Sequence, residues 1–103
     1  MNDETKVEDP TAAVIRLEGD LVSPRLPAAR TILREMVSAG KVHVTVDLSD
    51  TQMVDSAGIG LLISAHNSLK KAGGELTVIH ASKDILDLFR TMRIHQHFAV
   101  SGD

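Results

Sequence analysis

Val42, Val44, Val46 and Leu48 alternate with His43, Thr45 and Asp47, the strictest two-residue period in the chain. Such alternation predicts a strand with one face buried and the other wetter. Ala13, Ile15 and Leu17 set against Val14, Arg16 and Glu18 predict another strand, ended by Gly19-Asp20. Leu76 to His80, rich in β-branched residues, is a third, and His97 to Val100 a short last one. Lys6-Val7-Glu8 predicts an edge strand that pairs with the next strand through the turn signal Asp9-Pro10-Thr11. Between the strands the apolar period lengthens. Leu26, Ala29, Leu33, Met36 and Val37 share one helical face over about 24–39. Ser23-Pro24 reads as its N-cap with proline in the first turn, and Gly40 as its stop. Ile59, Leu62, Ile63, His66 and Leu69 mark a second helix over about 57–72, closed by Ala72-Gly73-Gly74. Ser82 caps a third over 83–92, with the stripe Ile85, Leu88, Phe89 and Met92.

The order β-β-α-β-α-β-α-β is that of βαβ units, so the fold class is α/β. The expectation is one domain over 1–103, with residues 1–5 loose and a mixed, mostly parallel sheet of four to five strands with alternating helices. Right-handed crossovers then line the loops after the strands along one sheet edge, where open α/β sheets bind ligands and partners. Those loops hold Asp20 and Ser23, then Asp50 to Ser56, then Ser82.

Composition narrows the function. The only aromatics are Phe89 and Phe98, so no platform exists for stacking bases or sugars. A formal net charge of −3 with scattered basic residues gives no field for a phosphate backbone, which argues against direct nucleic-acid binding. Without cysteine there is no disulfide, thiolate zinc site or cysteine nucleophile. The acidic, polar start MNDETKVEDP is not a secretory signal, and the apolar run at Ile59–Ile63 is far short of the ~20 residues of a membrane span. A cytoplasmic chain without membrane insertion is expected. Lys6 and Glu8 discourage pairing through the edge strand, so the chain is expected to be a monomer or weak dimer.

One segment carries candidate chemistry. Asp55-Ser56-Ala57-Gly58-Ile59-Gly60 lies where a loop becomes a helix. Asp or Ser there is an ordinary N-cap, and glycines relieve crowding between helix and sheet. The same position also exposes the Ser56 hydroxyl at a helix N-terminus, where backbone N–H groups and the helix dipole favour a phosphoryl group. Phosphorylation would add about −1.5 to −2 charges beside Asp55. No G-x-S-x-G frame surrounds Ser56, and Gly58 and Gly60 do not complete a G-x-G-x-x-G fingerprint, so neither a hydrolase nor a nucleotide site is indicated. His95 and His97 are expected on one face of a strand, but two imidazoles without a third ligand are no metal site. His66 and His80 are expected as hydrogen-bonded core or boundary histidines, and Met36, Met53 and Met92 as core filler, with Met53 also able to line a contact surface.

Asp47-Leu48-Ser49, then Val54-Asp55-Ser56-Ala57-Gly58-Ile59-Gly60-Leu61-Leu62, resembles the STAS domain of anti-sigma factor antagonists. Leu17-Glu18-Gly19-Asp20-Leu21 is similar to that family's turn before the first helix, Lys71-Ala72-Gly73-Gly74-Glu75-Leu76 to its turn into the next strand, and Phe89 sits where the family has a late aromatic or aliphatic residue. The resemblance implies a partner-switching regulator that is not an enzyme and needs no cofactor. In it the serine matching Ser56 is phosphorylated by an anti-sigma factor that is itself a serine kinase, and a PP2C-type phosphatase resets it. The unphosphorylated form binds the kinase and releases a sigma factor. The contact surface expected for that partner is Asp20, Ser23, Asp50, Thr51, Met53, Asp55, Ser56, Ala57 and Gly58. Two positions depart from the family. Ala57 replaces a frequent second serine, leaving Ser56 the only hydroxyl of the motif, and Val22 stands where an acidic residue is frequent. An alternative is a STAS subunit of a lipid-transport or other signalling complex that docks without phosphorylation.

Overall fold

The alternation at 42–48 becomes strand β2, His43–Asp47, with Val44 and Val46 buried and His43, Thr45 and Asp47 half-buried. The computed structural model describes residues 9–102. Around β2 are β1 (Ala12–Arg16), β3 (Glu75–Ile79) and β4 (Ala99–Val100), in a four-stranded sheet ordered β1-β2-β3-β4. All three pairings are parallel, in registers that align Ile15 with Val46 and Val46 with Val78. The edge strand expected at residues 6–8 lies outside the described residues. Helices α1 (Leu26–Ser38), α2 (Ser56–Lys71) and α3 (Lys83–Thr91) make the three crossovers.

A sheet wound in the order 1-2-3-4 steps the same way at every crossover. Right-handed connections then place all three helices on one face. Burial agrees: Ile15, Val44, Val46, Leu76 and Val78 point into the core with Leu33, Leu62, Leu69, Ile85 and Phe89 from the helices. On the other face Val14 is 69% exposed, in one row with the half-buried Thr45 and Thr77. Winding in one direction also removes the topological switch point at which doubly wound sheets open a ligand crevice. The carboxyl edge is therefore a surface of loops without a central crevice; a recess lies to one side, between the end of β1 and the start of α1, lined by Arg16, Glu18, Asp20, Arg25 and Ile32.

Three expectations need correction. Ser23 is not the side-chain cap of α1. Residues Ser23–Arg25 form a separate 3-10 turn, α1 starts at Leu26 with Pro27 in its first turn, and Ser23 bonds elsewhere. His95 and His97 do not share a strand. Arg93 turns left-handed (φ 57°) after α3, Ile94–Gln96 coil into a 3-10 turn, and β4 begins only at Ala99. Among the described residues no group of three metal-ligating side chains occurs. Met92 is not core filler, being 45% exposed at the end of α3.

His66 is a core histidine, as its place in the α2 stripe suggests. It is buried, its ring lies 5.7 Å from that of Phe98, and its Nδ1 accepts the backbone N–H of Leu76 at 3.1 Å, tying α2 to the start of β3. Burial pushes its pKa down, with Lys70 and His97 acting the same way and Glu75 opposing. His80 is instead exposed at the end of β3 and pairs with Asp47 at 3.1 Å. Among the described residues no helix is long and apolar enough to cross a membrane.

Candidate functional site

The loop after β1 and the loop after β2 are stitched to each other by side chains and backbone. Leu21 N–H donates to the Met53 carbonyl at 2.9 Å and Asp55 N–H to the Leu21 carbonyl at 3.2 Å, which makes Leu21 and Val54 an isolated parallel bridge beyond the strands. Asp20 Oδ1 accepts the N–H groups of Gln52 (2.9 Å) and Met53 (3.1 Å). Asp50 Oδ2 accepts Gly19 N–H at 3.1 Å, and the buried Thr51 donates its hydroxyl to the Gly19 carbonyl at 2.9 Å. Gly19 sits at φ 75°, a conformation other residues adopt at a cost.

Asp55 joins these loops to α2. Its Oδ1 caps the helix by accepting Gly58 N–H at 2.8 Å, while Oδ2 accepts Ser23 N–H (2.9 Å) and Ser23 Oγ (3.1 Å). The Gly58 and then the Ser23 N–H groups hold its carboxyl below the ordinary carboxylate range, against a smaller opposing effect of burial. Gly58 is buried and faces Leu21: a Cβ there would press into the Leu21 carbonyl oxygen and lie 3.0 Å from its Cγ. Gly60 faces open space, so crowding does not explain it.

Ser56 is the first residue of α2 and is exposed, and no hydrogen bond among the described residues uses its hydroxyl. Ala57 is exposed beside it, and Met53 is 63% exposed at the end of the β2 loop. The fold thus brings Asp20, Ser23, Asp50, Thr51, Met53, Asp55, Ser56, Ala57 and Gly58 together, but in two layers. Ser23, Met53, Ser56 and Ala57 face outward, whereas Thr51 is only 3% exposed and, with Gly58, works inside the loops. Thr51 is therefore a strut, not a surface group. Gln52, which sequence reasoning passed over, is exposed between them; its place within Asp50–Ser56 was the available signal. Ser82 stays apart, capping α3 through Ile85 N–H.

A family model described as "Mlab, STAS domain" matches residues 5–100. An anti-sigma F factor antagonist of Paenibacillus polymyxa is 25% identical over 91 residues, covering 82% of this chain and 78% of that protein. Among solved structures, a Thermotoga maritima protein assigned to the anti-sigma factor antagonists superposes with a TM-score of 0.84 at 13% identity, covering 95% of this chain and 84% of that one. The anti-sigma factor antagonist SpoIIAA in its unphosphorylated form gives 0.69 at 19% identity, with the same two coverages. The phosphorylated form of this Bacillus cell fate determinant also gives 0.69, at 16% identity over 95% of this chain and 89% of that one. At those identities the structures establish the fold.

Proposed function

This chain belongs to the STAS domain family, and on that premise we propose that it is an anti-sigma factor antagonist whose docking is switched by phosphorylation of Ser56. The observation that carries the proposal is the Ser56 hydroxyl, exposed in the first turn of α2 and engaged by no described residue. The positive end of the helix dipole stabilises a phosphoryl group there. Asp55, already committed to Gly58 and Ser23, keeps the turn folded while adding a like charge next to it. A surface of Met53, Ser56 and Ala57 that presents an apolar and hydroxyl face to a partner then becomes strongly anionic, by about −1.5 to −2 charges. The chain acts as substrate of a kinase and not as catalyst. The partner is an anti-sigma factor serine kinase, with a PP2C-type phosphatase restoring the free hydroxyl. The names of the Paenibacillus relative and of SpoIIAA, the latter solved in both phosphorylation states, support this reading.

The test is incubation with an anti-sigma factor kinase and ATP, read by intact mass. One phosphoryl group is expected on the wild type and none on Ser56→Ala. In binding measurements Ser56→Ala should hold the kinase and Ser56→Asp should not; equal affinity of both variants would overturn the switch. A second reading, a STAS subunit that docks in a lipid-transport or other complex through the same edge, is favoured by the exposed Met53, an apolar contact that needs no phosphoryl group. It expects Ser56 to remain unmodified in cells, which phosphosite mass spectrometry decides.

A further inference from the structure

α1 and α2 run side by side on the covered face of the sheet, and a groove lies between them on the outer surface. Its floor is apolar, made by the buried Leu33 and Leu61 with the half-buried Ala65. One rim carries Arg30 and Arg34, a helical turn apart on α1. The other carries Ser64 and Ser68, a turn apart on α2, and all four are exposed. Among the described residues the close contacts between a basic and an acidic side chain are His43–Glu75 and His80–Asp47, so no described carboxylate lies against either arginine. Charge is segregated as well. α1 and α2 carry Arg30, Arg34, Lys70 and Lys71 against the single acid Glu35, on a chain of formal net charge −3. Glu18, Asp20, Asp47, Asp50 and Asp55 lie instead at the carboxyl edge of the sheet, where they outnumber Arg16 and Arg25.

We propose that this groove docks an acidic amphipathic helix of a partner protein, with carboxylates on Arg30 and Arg34 and an apolar stripe on Leu33, Leu61 and Ala65. A helix places residues four apart one above the other, at the same rise of ~6 Å as the two arginines and the two serines. Helices seat in grooves between side-chain ridges at interaxial distances of about 8–10 Å. Arginine binds carboxylates through two parallel N–H donors, and the serine hydroxyls satisfy polar groups on the helix's other flank. A recessed floor suits a rod. A bilayer is flat, meets protruding groups and would leave Leu33 and Leu61 dry of lipid. The groove lies on the helix flanks beyond the first turn of α2, so the inference does not depend on Ser56 being phosphorylated.

The probe is a fluorescein-labelled helix-forming peptide with glutamates at i, i+4 spacing beside a leucine stripe, compared with its lysine-for-glutamate twin on the full chain. The glutamate peptide is expected to bind more tightly than the twin and to weaken with salt. It should move the amide resonances of Arg30, Arg34, Leu61, Ser64 and Ala65. Arg30→Glu/Arg34→Glu should lower its affinity at least about tenfold and Arg30→Gln/Arg34→Gln less, while Ser56→Asp leaves it unchanged. Equal binding of the twin, unchanged affinity in both arginine double variants, or shifts confined to other elements would overturn the proposal. So would arginine-dependent binding of phosphatidylglycerol vesicles without binding of the peptide, which would assign the surface to a membrane.

Discussion

A methyl group added at Gly58 would press on the Leu21 carbonyl, whereas one added at Gly60, two residues further along α2, would meet nothing within 4 Å. Alanine in an open helical position is worth up to about 1 kcal/mol over glycine, and overpacking a rigid contact costs about 1–3 kcal/mol. Gly60→Ala is therefore expected to raise the urea midpoint and Gly58→Ala to lower it, although both improve helix propensity. Equal gains from the two would show that the Leu21 contact yields freely. Asp55 sets the other limit at this scale. Its depressed carboxyl pKa means that the cap is an anion near neutrality. Its stabilising contribution is present above the ordinary carboxylate pKa of about 4 and fades as pH falls through its lower folded value.

Among the elements, the two edge loops depend on one acceptor more than their sequences suggest. Asp20→Ala removes the partner of the Gln52 and Met53 N–H groups without touching any strand. Hydrogen exchange at those two amides is expected to quicken by about tenfold or more, equivalent to ~1.4 kcal/mol of local protection, while β2 and β3 amides keep their rates. Exchange unchanged at Gln52 and Met53 would mean that the Leu21–Val54 bridge and the contacts of Asp50, Thr51 and Asp55 hold the loops without Asp20. The elements themselves were legible because their period is local: alternation over 42–48 marks β2, and the stripes of α1, α2 and α3 mark the helices within a residue or two. What escaped was tertiary. Ser23 has the residue type and the following proline of a cap, yet its N–H and hydroxyl go to Asp55, 32 residues away. The stretch from His95 to His97 looked extended, but the left-handed turn at Arg93 coils it. The motif at Ser56 was visible as a string; that Thr51 turns inward and the α1–α2 groove pairs arginines with serines depends on packing that no single segment encodes.

For the whole domain, the acid side of the stability curve should bear the mark of His66. Its folded pKa is lowered, so below the ordinary histidine value of about 6.5 the unfolded chain takes up a proton that the folded chain resists. Stability contributed by neutral His66 is complete above that value and declines as pH drops towards the folded pKa. Protonated Nδ1 can no longer accept from Leu76. His66→Gln keeps an acceptor but does not titrate, so its urea midpoint is expected to vary less between pH 7 and 5 than the wild type's. Parallel curves for the two proteins would remove His66 as the cause. The strand order has a consequence at this scale too. Because the strands are parallel and succeed one another across the sheet in chain order, the start of β1 and the end of β4 occupy diagonally opposite corners. Three inter-strand steps of about 4.8 Å separate the outer strands, in addition to the strand length between the two ends. A fluorophore placed at the start of β1 is thus held away from one placed at the end of β4, and a circular permutant has to carry its new connection between those strands across the sheet from corner to corner.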